Sequence, residues 1–173
     1  MRKILFFTIC VSIIICFGTI LVRDNNSTGT LVVKIRDQLG DWNSASAIYI
    51  SVSEVSIHRA DAGNESGWIK TGIGVTNLSI GETGIFYKVI GETSLGTGLY
   101  NVIRVNLIQA IVTVNGKNYS CNIENGILNI PIILGGVRIQ ALKIAYLEID
   151  VTPTIIHYKD EYWLVPAARA QPT

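Results

Sequence analysis

Tyr100-Asn101-Val102-Ile103-Arg104-Val105-Asn106-Leu107 sets Ile103, Val105 and Leu107 on one side of an extended chain, and Ile111-Val112-Thr113-Val114 then runs into Asn115-Gly116. Successive side chains of a strand point to opposite faces, so this alternation predicts a half-buried strand. Asn-Gly is the strongest short hairpin signal, because both central positions of its turn need positive φ. Lys117 to Ile123 is therefore expected to return antiparallel.

Working outward, the same pattern repeats. Thr30 to Arg36 puts Leu31, Val33 and Ile35 opposite Val32, Lys34 and Arg36, a first strand with one wet face. Ala47 to Arg59 alternates with Ile48, Ile50 and Val52 inward, then changes phase to Val55 and Ile57, which predicts a bulge near Ser53-Glu54. Ala60 to Gly67 reads as a loop, Trp68-Ile69-Lys70 as a short strand, and Gly72 to Glu92 as weak strands broken by glycine. On the other side, Asn125-Gly126 leads into Ile127 to Ile133, and Leu134-Gly135-Gly136 into one long run, Val137 to Val151. Pro153 to Tyr158, Lys159-Asp160-Glu161 and Tyr162 to Pro166 read as a closing hairpin. Helical periodicity is absent after Val22, and turn signals recur at roughly 8 to 12 residues. The expected fold is all-β, an antiparallel β-sandwich of immunoglobulin-like or transthyretin-like type.

One N-terminal hydrophobic helix is expected ahead of it. Ile4 to Val22 carries no charge and stands between Met1-Arg2-Lys3 and Arg23-Asp24. At about 1.5 Å per helical residue it reaches roughly 28 Å, against a hydrocarbon thickness of about 30 Å. Arg2 and Lys3 hold the amino end on the cytoplasmic side, so Asn25 onward is expected outside the membrane. Three fates are open: a retained single-pass anchor, cleavage after Cys16-Phe17-Gly18 to give a secreted protein, or lipidation at Cys16. Cys10 and Cys16 otherwise read as apolar filler. The organisation is then residues 1–23 as anchor or signal, 24–29 as linker, 30–169 as a single ectodomain and 170–173 as a tail. About 150 residues suffice for one core and are too few for two comfortable ones.

Composition narrows the partners. The chain has 14 basic and 13 acidic residues, and setting aside Arg2 and Lys3 leaves 12 against 13, a balance with no footprint for nucleic acid. Charged residues make up 16%, where about 25% is usual, so the surface is largely neutral and polar. Asn25, Asn26, Asn64, Asn77 and Asn118 each stand two residues before Ser or Thr. Given 12 asparagines and about one Ser or Thr in seven positions, chance predicts roughly two such sequons, so glycosylation of an exterior domain is expected, with turn chemistry as the alternative source of the pattern. Cys121 is the one ectodomain thiol, which leaves stability to packing.

Several stretches resemble an extracellular family of archaea and bacteria, the domains of unknown function numbered 4382. They are Gly29 to Asp37, Ile50 to Asp61 with Gly67-Trp68-Ile69, Leu99 to Val105 with Ala110 to Gly116, and Leu147 to Asp150 with Trp163 to Pro166. The resemblance implies a secreted or membrane-tethered β-sandwich, often a lipoprotein, without an established activity. This chain departs from the family's lipid-attachment box, since Ile13-Ile14-Ile15 precede Cys16 where a small residue belongs; the apolar span would substitute.

Candidate chemistry is sparse. Asp61, Asn64 and Glu65 share one loop whose oxygens could serve calcium, although such residues more often cap their own turn. Asp37 and Asp41 form a weaker pair of the same kind. His58 and His157 have no second ligand at zinc spacing and read as satisfied strand residues. Glu148 and Asp150 alternate onto one face, which suits acid/base work or simply a solvated face. No Gly-x-Ser-x-Gly occurs, and Cys121 lies in a strand pattern typical of an inert thiol. Trp42, Trp68 and Trp163, with Tyr49, Tyr87, Tyr100, Tyr119, Tyr146, Tyr158 and Tyr162, could form a protein or carbohydrate contact surface, Trp42 first among them. The sequence thus reads as a non-enzymatic cell-envelope protein for adhesion, scaffolding or surface-layer contact. The alternative is a filament subunit that self-assembles by donating Thr19 to Val22 or Leu31 to Ile35 to a neighbour's sheet.

Overall fold

The computed structural model describes residues 27–37, 45–80, 87–123 and 125–173. The Ile4 to Val22 span, Asn25, Asn26, Asp41, Trp42 and the donated Thr19 to Val22 lie outside these residues. The described residues form thirteen strands and no helix: β1 (Thr28–Asp37), β2 (Ala45–Arg59), β3 (Trp68–Lys70), β4 (Thr76–Ile80), β5 (Tyr87–Gly96), β6 (Gly98–Val114), β7 (Lys117–Ile123), β8 (Ile127–Pro131), β9 (Val137–Ile139), β10 (Ile144–Val151), β11 (Thr154–Tyr158), β12 (Glu161–Val165) and β13 (Ala168–Pro172).

They make two sheets stacked as a sandwich. The smaller runs β13-β10-β1-β5, and the larger follows β11-β12-β7-β6-β2-β3, with β4 on β2 and with β8 and β9 on β6. β6 is the spine of the larger sheet: β2 pairs along its whole length on one side, while β7, β8 and β9 follow one another along the other. Leu31, Val33, Ile35, Leu147 and Ile149 of the smaller sheet and Ile48, Ile50, Ile57, Ile103 and Ile130 of the larger are at most 3% exposed and form the shared core. β-branched side chains suit these pleated surfaces because their single preferred rotamer stands clear of the backbone.

Several expectations hold in detail. The phase change in β2 is a register break between Val52 and Glu54 against β6. Asn115 (φ 49) and Gly116 (φ 75) make the tight turn from β6 to β7, whose pairing runs Val114 with Lys117 to Ala110 with Cys121. Lys159 (φ 48) and Asp160 (φ 64) turn β11 into β12 in the same way.

Other expectations are corrected. The sheets are mixed, because β1 pairs β10 in parallel from Thr30 with Ile144 to Asp37 with Val151, and β7 pairs β12 in parallel. The run Val137 to Val151 divides into β9 and β10, which join different sheets across a turn at Gln140 to Lys143. Residues 170–173 are no free tail: Ala170 to Pro172 belong to β13 and pair β10, while Thr28 and Gly29 of the expected linker already belong to β1. Leu31 to Ile35 is held by β10 on one side and β5 on the other, so donating it to a neighbour would dismantle its own sheet.

Tyr100 fixes the corner between β5 and β6. Its ring is fully buried and its hydroxyl donates to Gly96 O at 2.9 Å, while the Arg59 guanidinium stands 6.0 Å from the ring centre. Burial raises the phenol above its ordinary pKa. The turn it braces also holds the start of β1, since Thr97 N–H donates to Ser27 O at 2.9 Å.

Candidate functional surfaces

The β2–β3 loop is built around His58. Its ring is 6% exposed, and Nε2 lies 3.0 Å from Gly63 O and 2.9 Å from Ser66 O, so that nitrogen carries the proton and donates to both carbonyls. Nδ1 lies 3.3 Å from Asn101 Oδ1, and the ring meets Trp68 edge-on at 4.9 Å. The two bonds from Nε2 make His58 a staple for the loop, as the reading of it as a satisfied strand residue anticipated.

In that loop Arg59 grips Asp61 through two bonds, Nε to Oδ1 at 2.9 Å and Nη2 to Oδ2 at 2.7 Å. The pairing holds the Asp61 carboxyl below its ordinary pKa and Arg59 above its own. A calcium ion at Asp61 would have to share the carboxylate with this guanidinium. Asn64 and Glu65 are exposed, and the Asn64 carbonyl accepts from Trp68 Nε1 at 3.2 Å. Among the described residues no group of three or more His, Cys, Asp and Glu is placed to hold a metal ion.

Beside the loop, Arg104 lies 3.8 Å over the Trp68 ring and donates from Nε to Asn129 Oδ1 at 2.8 Å. Lys70 pairs with Glu54 at 2.8 Å, which holds that carboxyl low. Sequence reasoning singled out Trp68 alone. Arg104 and Asn129 come from separate strands, and the one available signal was the outward phase of Arg104 opposite Ile103.

Asn64, Asn77 and Asn118 are exposed. Asn77 and Asn118 stand on the outer face of the larger sheet, where Ser51 Oγ donates to Asn77 Oδ1 at 2.8 Å and Thr113 Oγ1 to Asn118 Oδ1 at 2.7 Å. Each hydroxyl engages the amide oxygen and not the nitrogen, the atom a sugar would take.

The outer face of the smaller sheet differs. Lys34 is set between Tyr146, with Nζ 4.1 Å from the ring centre, and Tyr87, at 5.4 Å, and Val89 and Ile144 are exposed around it. Glu148 and Asp150 share this face but are only 8% and 5% exposed, which corrects the solvated-face reading. Arg36 lies 3.6 Å from Glu148, while Arg169 donates twice to Asp150 Oδ2, at 3.0 and 2.8 Å. Each carboxylate thus has its own arginine, an arrangement suited to locking strands together.

Cys121 is 7% exposed and its thiol is pushed up to about 11 by burial, so the reactive thiolate is scarce at neutral pH. His157 stacks on Tyr162 at 4.5 Å, and Tyr162 leans on Tyr119 at 5.0 Å, a row across β11, β12 and β7. Trp163, the next residue of β12, points to the opposite face of the sheet.

Two stacked mixed sheets, a buried corner tyrosine and outer faces of aromatic, amide and paired charged groups define an all-β sandwich domain. The chain belongs to the family described as Domain of unknown function (DUF4382), whose profile matches residues 28–166. No curated protein matches it. Among solved structures it is similar to a "putative cell adhesion protein" from Bacteroides ovatus ATCC 8483, at 9% identity over 83% of this chain, with a TM-score of 0.22. The chain spans 45% of that protein's length.

Proposed function

We propose that this chain is a non-enzymatic cell-envelope protein, anchored by an apolar helix over Ile4 to Val22 and displaying a glycosylated sandwich outside the membrane for adhesion, scaffolding or contact with a surface layer. The observation that supports it best is the exposure of Asn64, Asn77 and Asn118. Two of the three stand within strands, where turn chemistry does not account for them. Asn25 and Asn26 of the same pattern would lie next to the anchor. The smaller sheet's outer face carries none of the three described sequons and offers Tyr87, Tyr146 and Lys34 for contact with a protein or glycan, the kind of aromatic and cationic surface enriched at interfaces. Within sandwich types, the corner tyrosine favours the immunoglobulin-like arrangement over the transthyretin-like one.

Intact mass measurement and amino-terminal sequencing of the protein purified from its native cells test this reading. The expected product retains Met1 to Val22, partitions with membranes and carries sugar that falls by one chain in Asn118→Gln. A sugar-free protein in the cytosolic fraction overturns the proposal, and a mature end near Gly18 converts the anchor to a cleaved signal.

A further inference from the structure

We infer that the Gln140 to Lys143 turn is a membrane-contacting foot, with Leu142 as the side chain that enters the lipid interface. This rests on the membrane-anchored reading above and adds which end of the sandwich faces the bilayer.

Leu142 is anomalous on two counts. It is 97% exposed, and its φ is 59°, a left-handed conformation that glycine or asparagine adopts with less strain. A turn selected only for folding would not keep a fully exposed leucine there. Nor is the turn loosely attached. Leu142 N–H donates to Thr28 O at 2.9 Å, and Thr30 N–H donates to Lys143 O at 2.9 Å. Gly29 lies between these bonds without a side chain, because a Cβ at that position would overlap Gln140 O. The leucine is therefore presented rigidly beside the first residues of β1.

The tether selects the bilayer as occupant. Arg23 to Ser27 separates Val22 from Thr28, so the six steps between these two residues span at most about 20 Å even when fully extended. The opposite end of the sandwich, at Asn115-Gly116, lies on the order of 50 Å away along the 17 residues of β6. A tether this short brings the Leu142 end to the headgroups and leaves the other end remote. Ile144, 60% exposed at the start of β10, and the adjacent Lys143 extend the foot with the pairing that interfaces accept, an apolar side chain in the acyl boundary and an ammonium among phosphates.

The test uses the full chain in phosphatidylcholine and phosphatidylglycerol vesicles. Cys10 and Cys16 are changed to alanine, and the buried Cys121 is left in place. An environment-sensitive fluorophore is attached through Ala141→Cys, next to the intact Leu142, or through Gly116→Cys at the far end. Brominated lipid should quench the label at 141 and leave that at 116 unchanged, and adding Leu142→Asp should abolish the quenching while the protein still floats with the vesicles. Flotation without quenching at 141, equal quenching at both positions, or quenching that survives Leu142→Asp overturns the foot and leaves the anchor standing. Failure to float removes the anchor and the foot together.

Discussion

Replacing Tyr100 with phenylalanine removes one oxygen from the β5–β6 corner and nothing else, which makes it a clean probe of what holds the base of the sandwich. The ring is fully buried in both forms, and the Arg59 guanidinium at 6.0 Å keeps an aromatic face. What is lost is the 2.9 Å bond to Gly96 O together with the hydroxyl's interaction with the Arg59 guanidinium. A neutral hydrogen bond contributes about 0.5–1.5 kcal/mol net, and an acceptor left without its donor inside the fold costs about 1–3 kcal/mol, so a destabilisation of about 1–2 kcal/mol is expected. For a domain of this size that corresponds to a fall of roughly 3–6 °C in melting temperature. Urea unfolding should show a lower midpoint and an unchanged slope, because the area exposed on unfolding is the same. Amide exchange at Thr97, whose N–H reaches Ser27 O, should quicken along with it. A phenylalanine variant within about 0.5 kcal/mol of the parent would refute the corner as a structural brace, since so small a loss lies at the bottom of the range for any buried bond.

His58→Ala strips the donor from Gly63 O and Ser66 O and the edge partner from Trp68; about 2–3 kcal/mol should be lost, with deuterium uptake rising across residues 60–67 before it rises elsewhere. Leu142→Gly should stabilise by about 0.5–1 kcal/mol in urea titration, because relief of about 1–2 kcal/mol of left-handed strain outweighs the added freedom of the unfolded chain. Gly29→Ala should cost about 1–3 kcal/mol by forcing the Gln140 to Lys143 turn off β1, measurable by thermal unfolding. Cys121 gives a pH test: the folded thiol holds its proton to about 11 and the unfolded thiol releases it near 9.0. Its contribution is therefore full below the unfolded value and is lost as pH rises through that window, by up to about 2–3 kcal/mol, so the difference between parent and Cys121→Ala should shrink between pH 8 and pH 11.

Local patterns were legible wherever the physics is local. The inward faces of β1 and β2, the bulge at Val52 to Glu54 and the turn at Asn115-Gly116 follow from side-chain periodicity and from φ preferences that act over a few residues. Partner choice was not legible. Nothing in Ile144 to Val151 states that it lies parallel to β1, because that pairing depends on bringing together residues more than a hundred positions apart. The break between β9 and β10 was hidden by Leu142, a left-handed turn position filled by a residue that reads as strand. β13 was missed because Ala168-Arg169-Ala170-Gln171-Pro172 has little β propensity and is held by its place beside β10. The same dependence on context concealed the candidate surfaces: alternation gave the outward phase of Glu148 and Asp150 but not the arginines on neighbouring strands that cover them.

The position of β1 has a mechanical consequence. A pull on the amino end acts along β1, whose ladders to β5 and β10 lie across the direction of force. The bonds are then loaded in shear and must yield nearly together, whereas a hairpin peeled from its end gives way one rung at a time. Such a domain would resist a pull on its amino end far better than its equilibrium stability implies.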